Sequence, residues 1–153
     1  MNLKTQQYIT ALDEQFAITQ SVHDEEQQSM LAKYLCVRTA GLVEAYIKTR
    51  ISDYINKSVP KEVKRYICGK FKDITNLSCK KLRDVLDSFS NEWANDFDVY
   101  VAEHEQQKNS LDSIIANRHN IVHGQPGNLS FHNLQQYYTD IKHIIDKLDS
   151  IIS

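Results

Sequence analysis

The chain is poor in residues that interrupt helices. Four Gly and two Pro are spread over 153 positions, which argues against a turn-rich β architecture and leaves room for long unbroken helices. Cysteine is scarce and odd in number. Cys36, Cys68 and Cys79 show no C-x-x-C spacing, so neither a disulfide framework nor a zinc knuckle is supported, and free thiols in a reducing compartment are expected. No stretch approaches the roughly 18 apolar residues of a membrane span. The opening segment MNLKTQQYITALDEQF also lacks the apolar centre of a secretory leader. We therefore expect a cytoplasmic location and no membrane partner. The remainder, 41% hydrophobic and 25% charged, has a globular composition. No repeat, linker or low-complexity tract divides residues 1–153, so one domain with a sizeable core is expected.

Net charge is also small, −2 at neutral pH, yet that total hides a division. Lys57 to Arg83 holds nine Lys/Arg against two Asp/Glu, a local net of +7, and Asp84 to Asp112 holds one Lys against eight Asp/Glu, a local net of −7. A chain that segregates charge in this way can turn one face to a phosphate backbone while staying acidic as a whole. The plainer reading is two solvated helix faces that partly neutralise each other.

Hydrophobic periodicity then lays out helices. About Leu3 to Thr19 is helix-compatible, with Tyr8, Leu12, Phe16 and Thr19 along one face. Asp24-Glu25-Glu26 places acid where a helix start favours it, and the helix beginning there runs to about Asn56. It is the longest in the chain, with Leu31, Tyr34, Leu35, Leu42, Tyr46, Ile47, Ile51, Tyr54 and Ile55 at three- and four-residue intervals. Gly41 inside it costs roughly 1 kcal/mol against Ala, which is tolerable where a neighbouring helix crosses closely. Pro60 suits the first turn of a short basic helix to about Phe71. Ser78 caps another, to about Glu92. A fifth is predicted from about Ala94 to His123, ended by Gly124-Gln125-Pro126-Gly127. The last, about Ser130 to Ile152, repeats Phe131, Leu134, Tyr138, Ile141, Ile145, Leu148 and Ile152 as a bundle seam. The fold class is all-α, an antiparallel helical bundle with short helices inserted between the long second helix and the fifth.

One residue breaks the fifth helix's apolar stripe. Positions 111, 114/115, 118 and 121/122 share a face at ~100° per residue, and all are apolar except Arg118. A guanidinium cannot shed its proton, so on such a stripe it needs a partner or a polar cavity. His119 and His123, four apart, share a face. Arg118 and His123, five apart, lie ~140° around an ideal helix and converge only if the last turn loosens or a second copy contributes. Histidine exchanges protons near neutral pH, and arginine offers paired donors to phosphate. Together these suit phosphoryl transfer within RNA, where the substrate's own 2′-hydroxyl is the nucleophile.

The segment Arg118-His119-Asn120-Ile121-Val122-His123 resembles the R-x4-H motif of the HEPN superfamily: Arg, a polar residue, three variable residues and His near the end of a bundle helix. The resemblance implies that residues 1–153 form a single HEPN-like domain. It also implies a metal-independent endoribonuclease of toxin or antiphage type that acts as a homodimer with two facing motifs. By position, Arg118 would hold the scissile phosphate, His123 would serve as general acid or base, and His119 would orient substrate or His123, with Asn120 beside them. Glu44, flanked by apolar Val43 on the long second helix, is the candidate to pair with Arg118. RNA is the implied substrate, an antitoxin protein the implied regulator, and no cofactor or metal is called for.

Three rivals remain open on the residues alone. Arg118 and Glu44 could form a structural ion pair with no chemistry. His119 and His123 have the i, i+4 spacing of helical zinc ligands but lack the Glu of HExxH. A HEPN-like module could bind RNA, a nucleotide or a partner protein without cutting. Tyr137 and Tyr138 could stack on bases, although Tyr138 also falls on the seam.

Overall fold

A computed structural model describes all residues, 1–153. The chain folds into seven α-helices and one 3₁₀ turn, with no strand: α1 Leu3–Gln20, α2 Glu25–Asn56, α3 Lys61–Gly69, the turn Phe71–Asp73, α4 Cys79–Phe89, α5 Asn91–Glu103, α6 Glu105–Val122 and α7 Phe131–Ile151. No helix is long and apolar enough to cross a membrane.

Five helix starts are fixed by side-chain caps that satisfy otherwise unpaired N–H groups. Asn2 accepts from Thr5 N at the start of α1, Asp24 from Gln27 N at α2, Ser78 from Lys81 N at α4, Ser90 from Trp93 N at α5 and Ser130 from Asn133 N at α7. Pro60 falls one residue earlier than expected, at the N-cap of α3, and the basic helix stops at Gly69 before the 3₁₀ turn.

The long helix α2 is the hub, packing against α1, α6 and α7. α1 and α2 form an antiparallel hairpin: Asn2 Nδ2 donates to Asp53 Oδ2 at one end and Gln28 Nε2 to Thr19 O near the other. They cross closely at Gly41, where an added Cβ would lie 3.0 Å from the Tyr8 hydroxyl. That hydroxyl donates to Arg38 O at 3.0 Å. α6 and α7 make the second hairpin, and α3, α4 and α5 are inserted between the two. A cluster of 31 buried hydrophobic residues fills the space among them. The regular seam of α7 is buried throughout its middle, including Leu134, Tyr138, Ile141, Ile145 and Leu148.

The expected fifth helix is two helices. The backbone breaks at His104 (φ −129°, ψ 57°), whose Nδ1 sits 2.9 Å from Tyr100 O and whose ring stacks on Tyr100 at 4.4 Å between centroids. The break lets α6 leave the line of α5 and dock on α7. Buried Asp140 anchors that docking, accepting from Ser110 Oγ at 2.6 Å, Gln106 Nε2 at 3.3 Å and Gln136 Nε2 at 3.3 Å.

Candidate active site

The site is built on the last two turns of α6. That helix stays regular to its end: His123 N donates to His119 O at 3.1 Å. Gly124 then takes φ +63°, a left-handed conformation that costs glycine little. Gln125 N donates to Asn120 O at 2.8 Å and Gly124 N to Ile121 O at 3.2 Å, the paired closing bonds of a Schellman motif. The last turn is therefore not loosened. On a regular helix Arg118 and His123 leave the axis ~140° apart.

Arg118 lies at the margin of the core rather than inside it. Leu111 and Ile114 are fully buried, Ile115, Arg118 and Ile121 are half-buried, and Val122 is 59% exposed, so the stripe surfaces as it descends. The expected pairing with Glu44 does not form, and Arg118 belongs to none of the protein's ion pairs. Instead its Nη1 donates to Asn76 Oδ1, and Asn76 N donates to Glu44 Oε1 at 2.8 Å. Glu44 thus supports Arg118 through Asn76, because the separation of the two charged groups is filled by the segment between the 3₁₀ turn and α4. Asn76 is the one non-glycine residue with positive φ, +53°, a region that Asn tolerates better than most side chains. Sequence reasoning missed it. The available signal was an Asn just ahead of a Ser-capped helix, where a tight turn is expected.

Beneath Arg118, the Cys36 thiol donates to Ile114 O at 3.6 Å. Burial pushes this thiol up to about 12, against the opposing pull of the Arg118 charge.

His119 and His123 are both exposed and adjacent, their rings 4.4 Å apart and tilted by 53°. No third His, Cys, Asp or Glu joins them in a cluster able to hold a metal ion. His119 opens onto a groove of about 610 Å³ between the start of α4 and α6, which Asn76 and Asn120 also line. Asn120 reaches a second, smaller recess of about 250 Å³ between α6, its closing turn and Ser29 and Lys33 of α2. The motif thus holds Arg118 on Asn76 at the core margin, with an imidazole pair at the surface. Tyr138 is buried, its ring stacked 4.3 Å from that of Phe16 and its hydroxyl bonded to Asp13, so it is a core residue.

Comparison with known families gives a match to the model of the RiboL-PSP-HEPN family over residues 4–153. Comparison with curated proteins and with solved structures gives no match.

Proposed function

The chain belongs to the RiboL-PSP-HEPN family, and from that premise we propose that it is a metal-independent endoribonuclease of toxin or defence type whose site is completed by a second copy of the chain. Support comes chiefly from the state of Arg118: half-buried, hydrogen-bonded to a neutral amide rather than a carboxylate, and free of any ion pair. Its positive charge takes part in no ion pair, and its partner Asn76 lines the groove that His119 opens onto, so it is available to bind an RNA phosphate with paired donors.

In this reading a base takes the proton of the RNA 2′-hydroxyl, and the oxygen attacks the adjacent phosphorus. The bond to the 5′-oxygen breaks, and an acid returns a proton to that leaving oxygen. The products are a 2′,3′-cyclic phosphate and a 5′-hydroxyl. Two copies of His123, one per protomer, supply base and acid. Arg118 stabilises the charge that builds on the phosphate. His119, in ring contact with His123, orients it or the substrate, and Asn120 lines the approach. Two protomers are needed because Arg118 and His123 diverge within one chain. Val122, one turn beyond Arg118, is an exposed apolar residue beside the motif that such pairing could cover. Restraint of this activity inside the cell would fall to an antitoxin protein.

The test is cleavage of single-stranded RNA by the purified protein in EDTA. Arg118→Ala and His123→Ala are each expected to lower the rate at least a hundredfold while the thermal melt stays within a few degrees. Activity that depends on a divalent metal, or survives both substitutions, overturns the reading. The divergence of Arg118 and His123 within one chain favours a second reading, a non-catalytic module that binds RNA, a nucleotide or a partner protein. RNA binding without cleavage would establish it.

A further inference from the structure

The groove that opens at His119 extends well beyond the motif. One wall is the start of α4, and the other is a face of α6 carrying Lys108, Asp112, Ile115 and His119. Lys108 precedes His119 by three helical turns, about 16 Å at 1.5 Å per residue, a longer track than a single nucleotide occupies. Two exposed lysines border it, Lys80 on α4 and Lys108 on α6. Neither ammonium takes part in an ion pair. The backbone of Lys108 meets α4 directly, its carbonyl accepting from the Cys79 thiol at 3.7 Å.

The one carboxylate in the groove, Asp112, is already engaged, its Oδ1 accepting from Cys79 N at 2.8 Å. The start of α4 therefore offsets much of its repulsion toward an anion. Ile115 and Ala116 form an apolar stretch of floor between the cations and His119. Cations along the rim, an apolar floor and a polar end at His119 are the features that suit a single strand with its phosphates outward and its bases or sugars against the floor.

We propose that this α4–α6 groove binds the RNA strand on one side of the scissile phosphate, with Lys80 and Lys108 each receiving a flanking phosphate. The inference rests on the ribonuclease reading for which phosphate is cut, but the binding it asserts can be measured without cleavage. Of the nine cations in the basic run Lys57 to Arg83, it selects Lys80 and adds Lys108 from the acidic run, a choice that net charge alone would not make.

The experiment measures fluorescence anisotropy of labelled single-stranded RNAs, two and six nucleotides long, with the His123→Ala protein across a salt series. The hexanucleotide is expected to bind more tightly than the dinucleotide. Adding Lys80→Gln and Lys108→Gln should weaken hexanucleotide binding at least tenfold while changing the dinucleotide less than about twofold. The slope of log affinity against log salt should fall by about 1.4, since single strands lose about 0.7 per phosphate contact. A control pair, Lys61→Gln with Lys72→Gln, lies on exposed positions outside the groove and should change neither quantity more than twofold. The proposal is overturned if the groove pair has no effect, if the control pair weakens binding equally, or if no RNA binds at all. Groove-dependent binding with no cleavage by the unmutated protein sinks the ribonuclease reading and keeps the groove. Cleavage indifferent to both lysines does the reverse.

Discussion

At the residue scale, Asn76 decides how Arg118 is presented. A hydrogen bond to a charged group contributes about 1.5–3 kcal/mol, so losing one that positions the guanidinium should cost roughly tenfold or more in rate. Asn76→Gly tests this cleanly: glycine adopts the same φ without strain and keeps the backbone N–H that reaches Glu44, but removes the acceptor for Arg118. We expect cleavage to drop at least tenfold with the melt little changed, and Asn76→Asp, which would pair the guanidinium with a carboxylate and compensate its charge, to lose activity as well. Equal rates for Asn76→Gly and the unmutated protein would show that Arg118 needs no such holder. The cation was legible in the sequence because it interrupts an apolar stripe. Its partner was not, because the two lie 42 residues apart and meet only when the segment before α4 folds against α2. Glu44 was found as a polar group facing the right way but was assigned the wrong contact: a helix wheel gives direction, not reach. The thiols make a second residue-scale prediction. Burial pushes both Cys36 and Cys79 up to about 12, so at pH 8 only half-buried Cys68 should react quickly with Ellman's reagent, and all three should react in denaturant. The raised values also mean that stability is lost as pH climbs from about 9, where the unfolded thiols ionise, toward 12. Rapid reaction of three thiols in the folded protein would contradict this burial.

At the scale of elements, the helices were legible wherever apolar spacing and caps agreed. The acidic start at Asp24, the Ser78 cap and the Gly124 stop show in both sequence and structure. The break at His104 was invisible for a physical reason. Glu103-His104-Glu105 contains no Gly or Pro, the stripe continues through it, and the gain that favours the break, Ser110 and Gln106 reaching buried Asp140, lies on another helix. Gly41 illustrates the opposite case, in which a local cost announced a tertiary contact. Alanine there gains about 1 kcal/mol of helix propensity, but its Cβ would press on the Tyr8 hydroxyl at 3.0 Å and disturb that group's bond to Arg38 O. Gly41→Ala is therefore expected to be neutral or destabilising by up to about 1 kcal/mol in urea unfolding. In a Tyr8→Phe background the same change should stabilise by about 0.5–1 kcal/mol. A stabilising effect in both backgrounds would mean that the helix crossing, not the hydroxyl, leaves the room.

At the scale of the whole molecule, the long second helix, the seam and the fold class were all present in the periodicity, but in the proposed ribonuclease the motif becomes a site only with a second chain. The Schellman closure holds α6 regular through His123, and Asn76 draws Arg118 to the α4 side, so the base-acid pair and the phosphate holder cannot be assembled by relaxing the helix end. In the ribonuclease proposed above a second copy supplies the missing half, and that makes a prediction specific to sharing. His123→Ala protein mixed in excess with the unmutated protein should suppress cleavage, because an exchanged dimer holds a single His123 and lacks either the base or the acid. Sedimentation should find a species of twice 17.7 kDa at micromolar concentration, and the suppression should deepen as exchange proceeds. Cleavage by the unmutated protein where only monomer sediments would place the reaction within one chain, against the regular geometry of α6. Dimers that exchange freely yet lose no activity would mean the two motifs do not share a phosphate.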